Sequence, residues 1–173
     1  MTNDTTPVFP CRFDLRSKRI TVMAFTLLVM AFGLFRHFAI GNYMPAWFLF
    51  FVVVVLALYI LSIPRHIHLD EKAVEIHCLV ESTYILYDDL KSVRYMEPGE
   101  MKFAFPLLGS YGFFGYYGYY FNLREWSTIK VYASQWSHFI EIEDIYEQKY
   151  VVSCDEPQAF IAAIEWRMEK KIK

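Results

Sequence analysis

The chain has 173 residues, of which 55% are hydrophobic and 19% aromatic, and its formal net charge is −2. Residues 64–173 hold 12 Lys/Arg against 17 Asp/Glu, so this part lacks the basic surface that non-specific nucleic-acid binding needs, and we expect no nucleic-acid partner. Three widely spaced cysteines with no CxxC pair exclude a zinc knuckle and a thioredoxin-like motif, and they suit a reducing compartment.

Residues 1–19 form the first predicted segment, a cytoplasmic N-terminal tail. Residues 1–10 offer little to bury, and we expect them to be loose. Four basic residues follow before the first apolar run, and anionic headgroups would favour them on the inner side of a membrane. They are Arg12, Arg16, Lys18 and Arg19.

Residues 20–63 form the second predicted segment, a transmembrane helical hairpin, because Arg36 is the only formally charged residue among them. Crossing a hydrocarbon core takes about 20 apolar residues, and 20–38 and 46–63 each come close to that length. The turn is predicted at Gly41–Pro45. Two buried helices of a soluble protein are disfavoured because neither helix has a polar face. A cleaved signal peptide is disfavoured because no convincing cleavage site precedes the second span.

The flanking charges predict the orientation of this hairpin. Basic residues precede the first span and follow the second, and so the positive-inside rule places both termini in the cytoplasm and the turn outside. Tyr43 and Trp47 lie where aromatic belt residues are expected. The sequence therefore predicts an integral protein of a cytoplasmic membrane.

Residues 64–173 form the third predicted segment, a small cytoplasmic β domain. Period-two alternation predicts about seven short antiparallel strands, and a final amphipathic helix carries the apolar stripe Phe160, Ile161, Ile164 and Met168. The predicted fold is a bent antiparallel sheet or barrel closed by that helix. The seven strands are predicted near residues 65–69, 74–80, 82–86, 92–97, 128–133, 139–143 and 149–153.

An uncharged stretch of aromatic residues and glycines lies between Lys102 and Arg124. A third transmembrane helix and a collagen segment do not fit its Pro, Gly and Tyr content. A phosphate-binding loop is only weakly indicated, because no Gly-Lys-Ser/Thr or GxGxxG motif follows a strand. Two interpretations stay open: a loop packed on its own domain, and an exposed surface that contacts lipid, a protein partner or a second copy. The candidate interface residues are Tyr111, Phe113, Phe114, Tyr116, Tyr117, Tyr119 and Tyr120, and the candidate structural glycines are Gly109, Gly112, Gly115 and Gly118.

The same stretch carries a family resemblance. The glycines and aromatics from Gly109 to Tyr120, then Tyr132-Ala133, then residues 149–153 before an acidic-Pro helix start, resemble the bacterial pleckstrin-homology-like (PH-like) domain family. The resemblance covers residues 64–165, and it departs slightly from the family at residues 153–157. It implies a PH-like fold and a membrane setting, since many members carry membrane helices before the domain. It implies no ligand, and phosphoinositide binding is not carried over from eukaryotic relatives.

A cluster of histidines offers the alternative function. His66 and His68 share a strand face, and hairpin pairing would bring His77 opposite His66, so a metal protein or an enzyme could be built there. No Asp, Glu or Cys evidently completes the set, and no nucleophile–base arrangement is recognisable. The first expectation is therefore a membrane-anchored, non-catalytic binding or scaffold module without metal or cofactor, whose partners are the lipid bilayer and a membrane protein or a second copy.

Overall fold

The computed structural model describes residues 8–38, 43–61, 63–78, 82–97 and 99–172. The predicted turn residues Gly41 and Asn42, the end of the second predicted strand and Lys173 lie outside the described residues. The elements are β1 Val8–Pro10, α1 Leu15–Phe38, α2 Met44–Leu61, β2 Pro64–Leu69, β3 Ala73–Cys78, β4 Ser82–Leu86, β5 Leu90–Tyr95, β6 Ala104–Gly112, β7 Gly115–Asn122, β8 Ser127–Ala133, β9 Phe139–Asp144, β10 Lys149–Ser153 and α3 Pro157–Ile172.

All seven strands that alternation predicts are present, as β2–β5 and β8–β10. They form two sheets within the described residues, in the orders β1-β2-β3-β4 and β5-β9-β10-β8-β7-β6. The expectation of purely antiparallel pairing is wrong at one place, because β10 runs parallel to β8 with Val151 opposite Val131. Strand β10 lies between β9 and β8 in the sheet. The chain reverses its direction between β8 and β9 and again between β9 and β10, so β10 runs in the same direction as β8.

The prediction that residues 1–10 are loose is wrong for residues 8–10, which form strand β1, and residues 1–7 lie outside the described residues. Phe9 pairs with Ile67 of β2 in an antiparallel register, and Cys11 continues the pairing by donating its N–H to the carbonyl oxygen of Arg65 at 3.1 Å. The Phe9 ring meets the ring of Phe160 edge-on, with the centroids 5.1 Å apart. This apolar contact gives the segment something to bury, which its composition alone did not reveal.

Helix α3 packs against the sheets as its stripe predicts. Phe160 and Ile164 are fully buried in a core that includes Ile67, Ile76 and Ile140. A second cluster includes Tyr116, Tyr120 and Val131, which belong to strands β7 and β8 of the larger sheet. Together these contacts hold a mostly β domain with one C-terminal helix, as the predicted fold requires.

Helix α1 begins at Leu15, earlier than the predicted Ile20, because Asp14 caps it: the Asp14 Oδ1 accepts the N–H of Ser17 at 2.6 Å. Its stretch Leu15–His37 contains an 18-residue window with a mean hydropathy of 1.7 and is long and apolar enough to cross a membrane. The apolar stretch Pro45–Ala57 of α2 is shorter. The two helices touch where the rings of Phe35 and Phe48 stack at 5.3 Å.

Candidate functional site

The aromatic–glycine stretch folds as a β-hairpin, made of β6 and β7, and not as a loop. Its register places Gly109 opposite Gly118 and Gly112 opposite Gly115, with Phe113 and Phe114 forming the two-residue turn. Phe114 has a positive φ of 53°, which is a sparsely populated conformation for a bulky residue. The glycine repeat therefore reflects two cross-strand glycine pairs.

The outer pair lets the two strands approach more closely than side chains would allow. A Cβ on Gly109 would lie 2.0 Å from the carbonyl oxygen of Tyr117, and one on Gly118 would lie 2.2 Å from the carbonyl oxygen of Leu108. Both residues also have positive φ, at 141° and 108°, where side chains are disfavoured. A side chain at either position would therefore clash with the backbone of the opposite strand.

The inner pair meets two other parts of the molecule. A Cβ on Gly112 would lie 2.5 Å from the Cδ1 of Ile20 in helix α1, and one on Gly115 would lie 3.1 Å from the carbonyl oxygen of Ala133 in β8. Gly112 thus lets the hairpin tip touch the helix directly.

The seven predicted interface residues separate into buried and accessible groups. Tyr116, Tyr117 and Tyr120 are almost fully buried, and this corrects the expectation that they form an exposed surface. Tyr116 and Tyr120 belong to the second core cluster. All three lie on β7, which is covered on both edges because it pairs with β6 and β8. Four predicted residues keep accessible surface: Tyr111, Phe113, Phe114 and Tyr119.

The buried tyrosines are neutral packing residues. Burial raises the pKa of the Tyr116 hydroxyl to about 12, and the Tyr116 ring lies 4.6 Å from that of Trp136. The Tyr120 hydroxyl donates a hydrogen bond to the carbonyl oxygen of Ser110, and burial raises its pKa as well. Neither hydroxyl is therefore a candidate acid or base at neutral pH.

The first turns of α1 dock onto the hairpin tip through hydrogen bonds. The buried Ser17 donates its hydroxyl to the carbonyl oxygen of Gly112 at 3.0 Å, and the N–H of Phe114 donates to the Thr21 Oγ1 at 3.0 Å. Phe25, one turn further along, places its ring 5.8 Å and 6.0 Å from the rings of Phe113 and Phe114. The docking face of α1 is Ser17, Thr21 and Phe25, spaced at i, i+4 and i+8.

This docking places the tip beside the apolar part of α1. Arg16, Lys18 and Arg19 are exposed, and the uncharged run begins at Ile20. At about 1.5 Å of rise per residue, Phe25 lies about 9 Å along the helix from Arg19. The aromatic tip thus lies beside the uncharged run of α1 and beyond the basic residues.

An apolar cleft of about 470 Å³ separates the hairpin from the two helices. Helix α1 contributes Ala24 and Leu28, helix α2 contributes residues from Phe48 to Leu56, and the hairpin contributes Gly109–Tyr111 and Phe113. Outside this cleft the edge strand β6 exposes further large apolar side chains, namely Phe105, Leu107 and Leu108. The hairpin therefore presents an unusually apolar surface for an edge strand.

The histidines come together as the sequence predicts, with His66 opposite His77. The His66 ring centroid lies 4.8 Å from that of His68 and 4.9 Å from that of His77, on which it stacks. Burial, followed by the neighbouring His68 and His77, lowers the pKa of His66. Within the described ranges no group of three His, Cys, Asp or Glu side chains is arranged to hold a metal ion.

The docking residues of α1 are the part of the site that the sequence analysis missed. Asp14 connects the start of α1 with the segment between β8 and β9. Its Oδ1 caps the helix, and its Oδ2 accepts the backbone N–H of Trp136 at 2.9 Å. The ring of Trp136 packs against those of Tyr116 and Phe139. The spacing Asp14-x-x-Ser17 was a usable signal for the helix start, but the contact with β6 and β7 is long-range.

Comparison with known proteins gives one family. The family described as "Bacterial PH domain" matches residues 65–168. This range spans the domain from β2 to α3 and includes the aromatic hairpin. No curated protein and no solved structure matches the chain significantly.

Proposed function

The chain belongs to the bacterial PH domain family, and from this premise we propose that it is a membrane-anchored, non-catalytic binding module whose aromatic hairpin contacts the inner leaflet. Helices α1 and α2 form the anchor, both termini are cytoplasmic, and the PH domain lies against the bilayer. Lipid is the partner that the hairpin surface fits best.

The observation that carries this proposal is the pairing of β1 with β2. These strands flank the two helices in the chain, and Phe9 lies opposite Ile67. The chain therefore leaves the domain before α1 and returns to it after α2 at neighbouring positions. If α1 crosses a membrane, the chain must cross again to reach β2, and α2 is the helix available between them.

The exposure of the helix side chains supports a lipid environment for α1. Val22, Met23, Leu27 and Met30 all project away from the rest of the molecule. Apolar surface of this extent is rarely left in water. Exposed Arg16, Lys18 and Arg19 at the domain end of α1 suit the anionic inner surface.

The position of the hairpin supports direct lipid contact by the domain. The tip packs beside Phe25, and Gly109–Tyr111 lines the same cleft as Val55 and Leu56 of α2. Both contacts lie within the apolar runs of the helices. A bilayer that surrounds those runs also surrounds the exposed Leu107 and Leu108 of β6.

A photoreactive residue tests the lipid contact in the full chain within native membranes. We would replace Leu108, which is 73% exposed, and in a separate protein Trp126, which is 77% exposed in the turn between β7 and β8, by p-benzoyl-phenylalanine. Position 126 follows the far end of the eight-residue β7, roughly 25 Å from the tip at about 3.3 Å per residue.

The proposal predicts lipid adducts from position 108 and few from position 126. If position 108 instead forms adducts to another protein or to a second copy, without lipid adducts, the hairpin is a protein interface and does not contact the leaflet. Equal labelling from both positions would contradict a specific role for the hairpin.

A further inference from the structure

We propose that the cleft between α1, α2 and the β6/β7 hairpin is a binding site for one acyl chain of an anionic phospholipid, whose headgroup meets Arg16. This inference rests on the proposed function, because it requires the cleft to lie in the inner leaflet.

The lining of the cleft fits a hydrocarbon chain. Its volume of about 470 Å³ lies within the range of about 300–1,000 Å³ that is common for small-molecule sites. Leu28 and Val52 lie on the helix side, and Phe113 lies on the hairpin side. Such a lining offers dispersion contacts to a chain and few hydrogen-bond partners to water.

The hairpin keeps this cleft from closing. Ser17 and Thr21 hold the tip on α1 through their hydrogen bonds to Gly112 and Phe114. The contact between Phe35 and Phe48 holds α2 against α1 further along the helices. The space between these two fixed points is open to its surroundings, which in the proposed setting are lipid tails.

The polar end of the cleft selects the headgroup. Tyr111 lines the cleft, and its hydroxyl lies 3.5 Å from the Arg16 Nη2, which donates to it. The Arg16 guanidinium also lies 5.6 Å from the Tyr111 ring centroid and 5.7 Å from that of Trp136. Among the described residues Arg16 forms no salt bridge to an acidic side chain.

A cation at the mouth of an apolar cleft matches the two ends of an anionic lipid. Arginine binds phosphate oxygens in a forked geometry, and the exposed Lys18 and Arg19 add positive charge at the same end of α1. A second copy of the chain would satisfy the apolar lining, but its helices would bring no anion to Arg16.

The test is native mass spectrometry of the full chain released from nanodiscs that contain phosphatidylglycerol and phosphatidylethanolamine. Ala24→Phe fills the cleft from α1, and Val55→Phe fills it from α2. Val22→Phe adds the same ring on the outer side of α1, where Val22 is exposed, and serves as the matched control. Thermal unfolding of each variant reports whether it is folded.

We expect the parent and Val22→Phe to retain one phosphatidylglycerol molecule, and at least one folded filled-cleft variant to lose it. Arg16→Gln should keep a lipid but lose the preference for phosphatidylglycerol over phosphatidylethanolamine, which a merely structural role of Arg16 would not change. Retention by both filled-cleft variants, absence of lipid from the parent, or a dimer that disappears when the cleft is filled would each overturn the inference.

The lipid cross-link from position 108 separates this inference from the proposed function. If that cross-link forms while the parent retains no lipid, the cleft site fails and the leaflet contact stands. If the cross-link is absent as well, both fail.

Discussion

The backbone N–H of Trp136 donates a hydrogen bond of 2.9 Å to the Asp14 Oδ2, while the Asp14 Oδ1 caps helix α1. One carboxylate therefore fixes the start of the helix and the turn between β8 and β9 to each other. The direction in which α1 leaves the domain is set by this residue together with Ser17 and Thr21. The domain is thus held at a defined orientation to α1.

Asp14→Ala should destabilise the domain by about 2 kcal/mol. About half of this is the lost helix cap and the rest is the hydrogen bond to Trp136. Urea unfolding of the full chain in detergent micelles, followed by tryptophan fluorescence, measures the change. Glu71→Ala, at an exposed turn position, should stay within about 0.5 kcal/mol of the parent. Equal losses of stability in the two variants would contradict a stabilising role of the Asp14 hydrogen bonds.

Gly109→Ala should destabilise the β6/β7 hairpin by about 3 kcal/mol, because the new Cβ would meet the Tyr117 carbonyl oxygen in a backbone region that disfavours alanine. Gly33→Ala is the matched control, since nothing lies within 4 Å of a Cβ there. In the middle of α1 it should be neutral or stabilising by up to about 1 kcal/mol. If Gly109→Ala and Gly33→Ala lower the free energy of urea unfolding by comparable amounts, the close approach of β6 and β7 at Gly109 does not explain the loss.

The histidine cluster predicts a dependence of stability on pH. The folded protein lowers the pKa of His66, so the unfolded chain binds its proton more readily. The stabilisation is then fully present above the unfolded pKa of about 6.5, and it is lost as the pH falls through the folded value. The free energy of unfolding should therefore decrease from pH 7.5 to pH 5.

His66→Gln tests this dependence by removing the titrating group. Its free energy of unfolding should change less over the same range than that of the parent. His138→Gln, which removes an exposed histidine after β8, should keep the parent's slope. An unchanged slope in His66→Gln would show that other groups carry the dependence.

Seven strands and helix α3 could be predicted because apolar and polar residues recur along them with the period of a strand or a helix, as with Ile140 and Ile142 against Glu141 and Glu143 in β9. Strands β6 and β7 escape this rule. Tyr116 and Tyr117 are both buried although they are adjacent, and Leu107 and Leu108 are both exposed although they are apolar. Alternation therefore vanishes where the hairpin meets the helices. These two strands carry no period because their surroundings are not water on one side and core on the other.

The other features that the sequence analysis did not predict depend on contacts between residues far apart in the chain. The parallel pairing of β8 with β10 depends on the order of strands in the sheet, which side-chain alternation does not encode. Likewise the contact of Ser17 with Gly112 joins residues 95 positions apart. The clash of a Cβ at Gly112 with Ile20 could not be predicted without the docked helix.

The proposed orientation of α1 and α2 in the membrane predicts that Tyr43 faces the outside. A Tyr43→Cys variant in intact cells should react with a membrane-impermeant maleimide, because Tyr43 is exposed at the start of α2. The native thiols should contribute little, since burial raises the pKa of Cys11 to about 12 and that of Cys154 to about 11. Tyr146→Cys, in the turn between β9 and β10, should react only after lysis. Labelling of both variants in intact cells would contradict the orientation.

The most direct test of the account is the depth of the hairpin tip in a bilayer. We would reconstitute the full-length Phe113→Trp variant in vesicles whose lipids carry bromine at shallow or deep acyl positions, and subtract the quenching of the parent. We expect the added fluorescence to be quenched by brominated lipid, more strongly by shallow bromines than by deep ones. Tyr146→Trp should not be quenched by either lipid. Quenching of the Trp at position 113 by aqueous iodide, with no effect of brominated lipid, would contradict insertion of the hairpin into the leaflet.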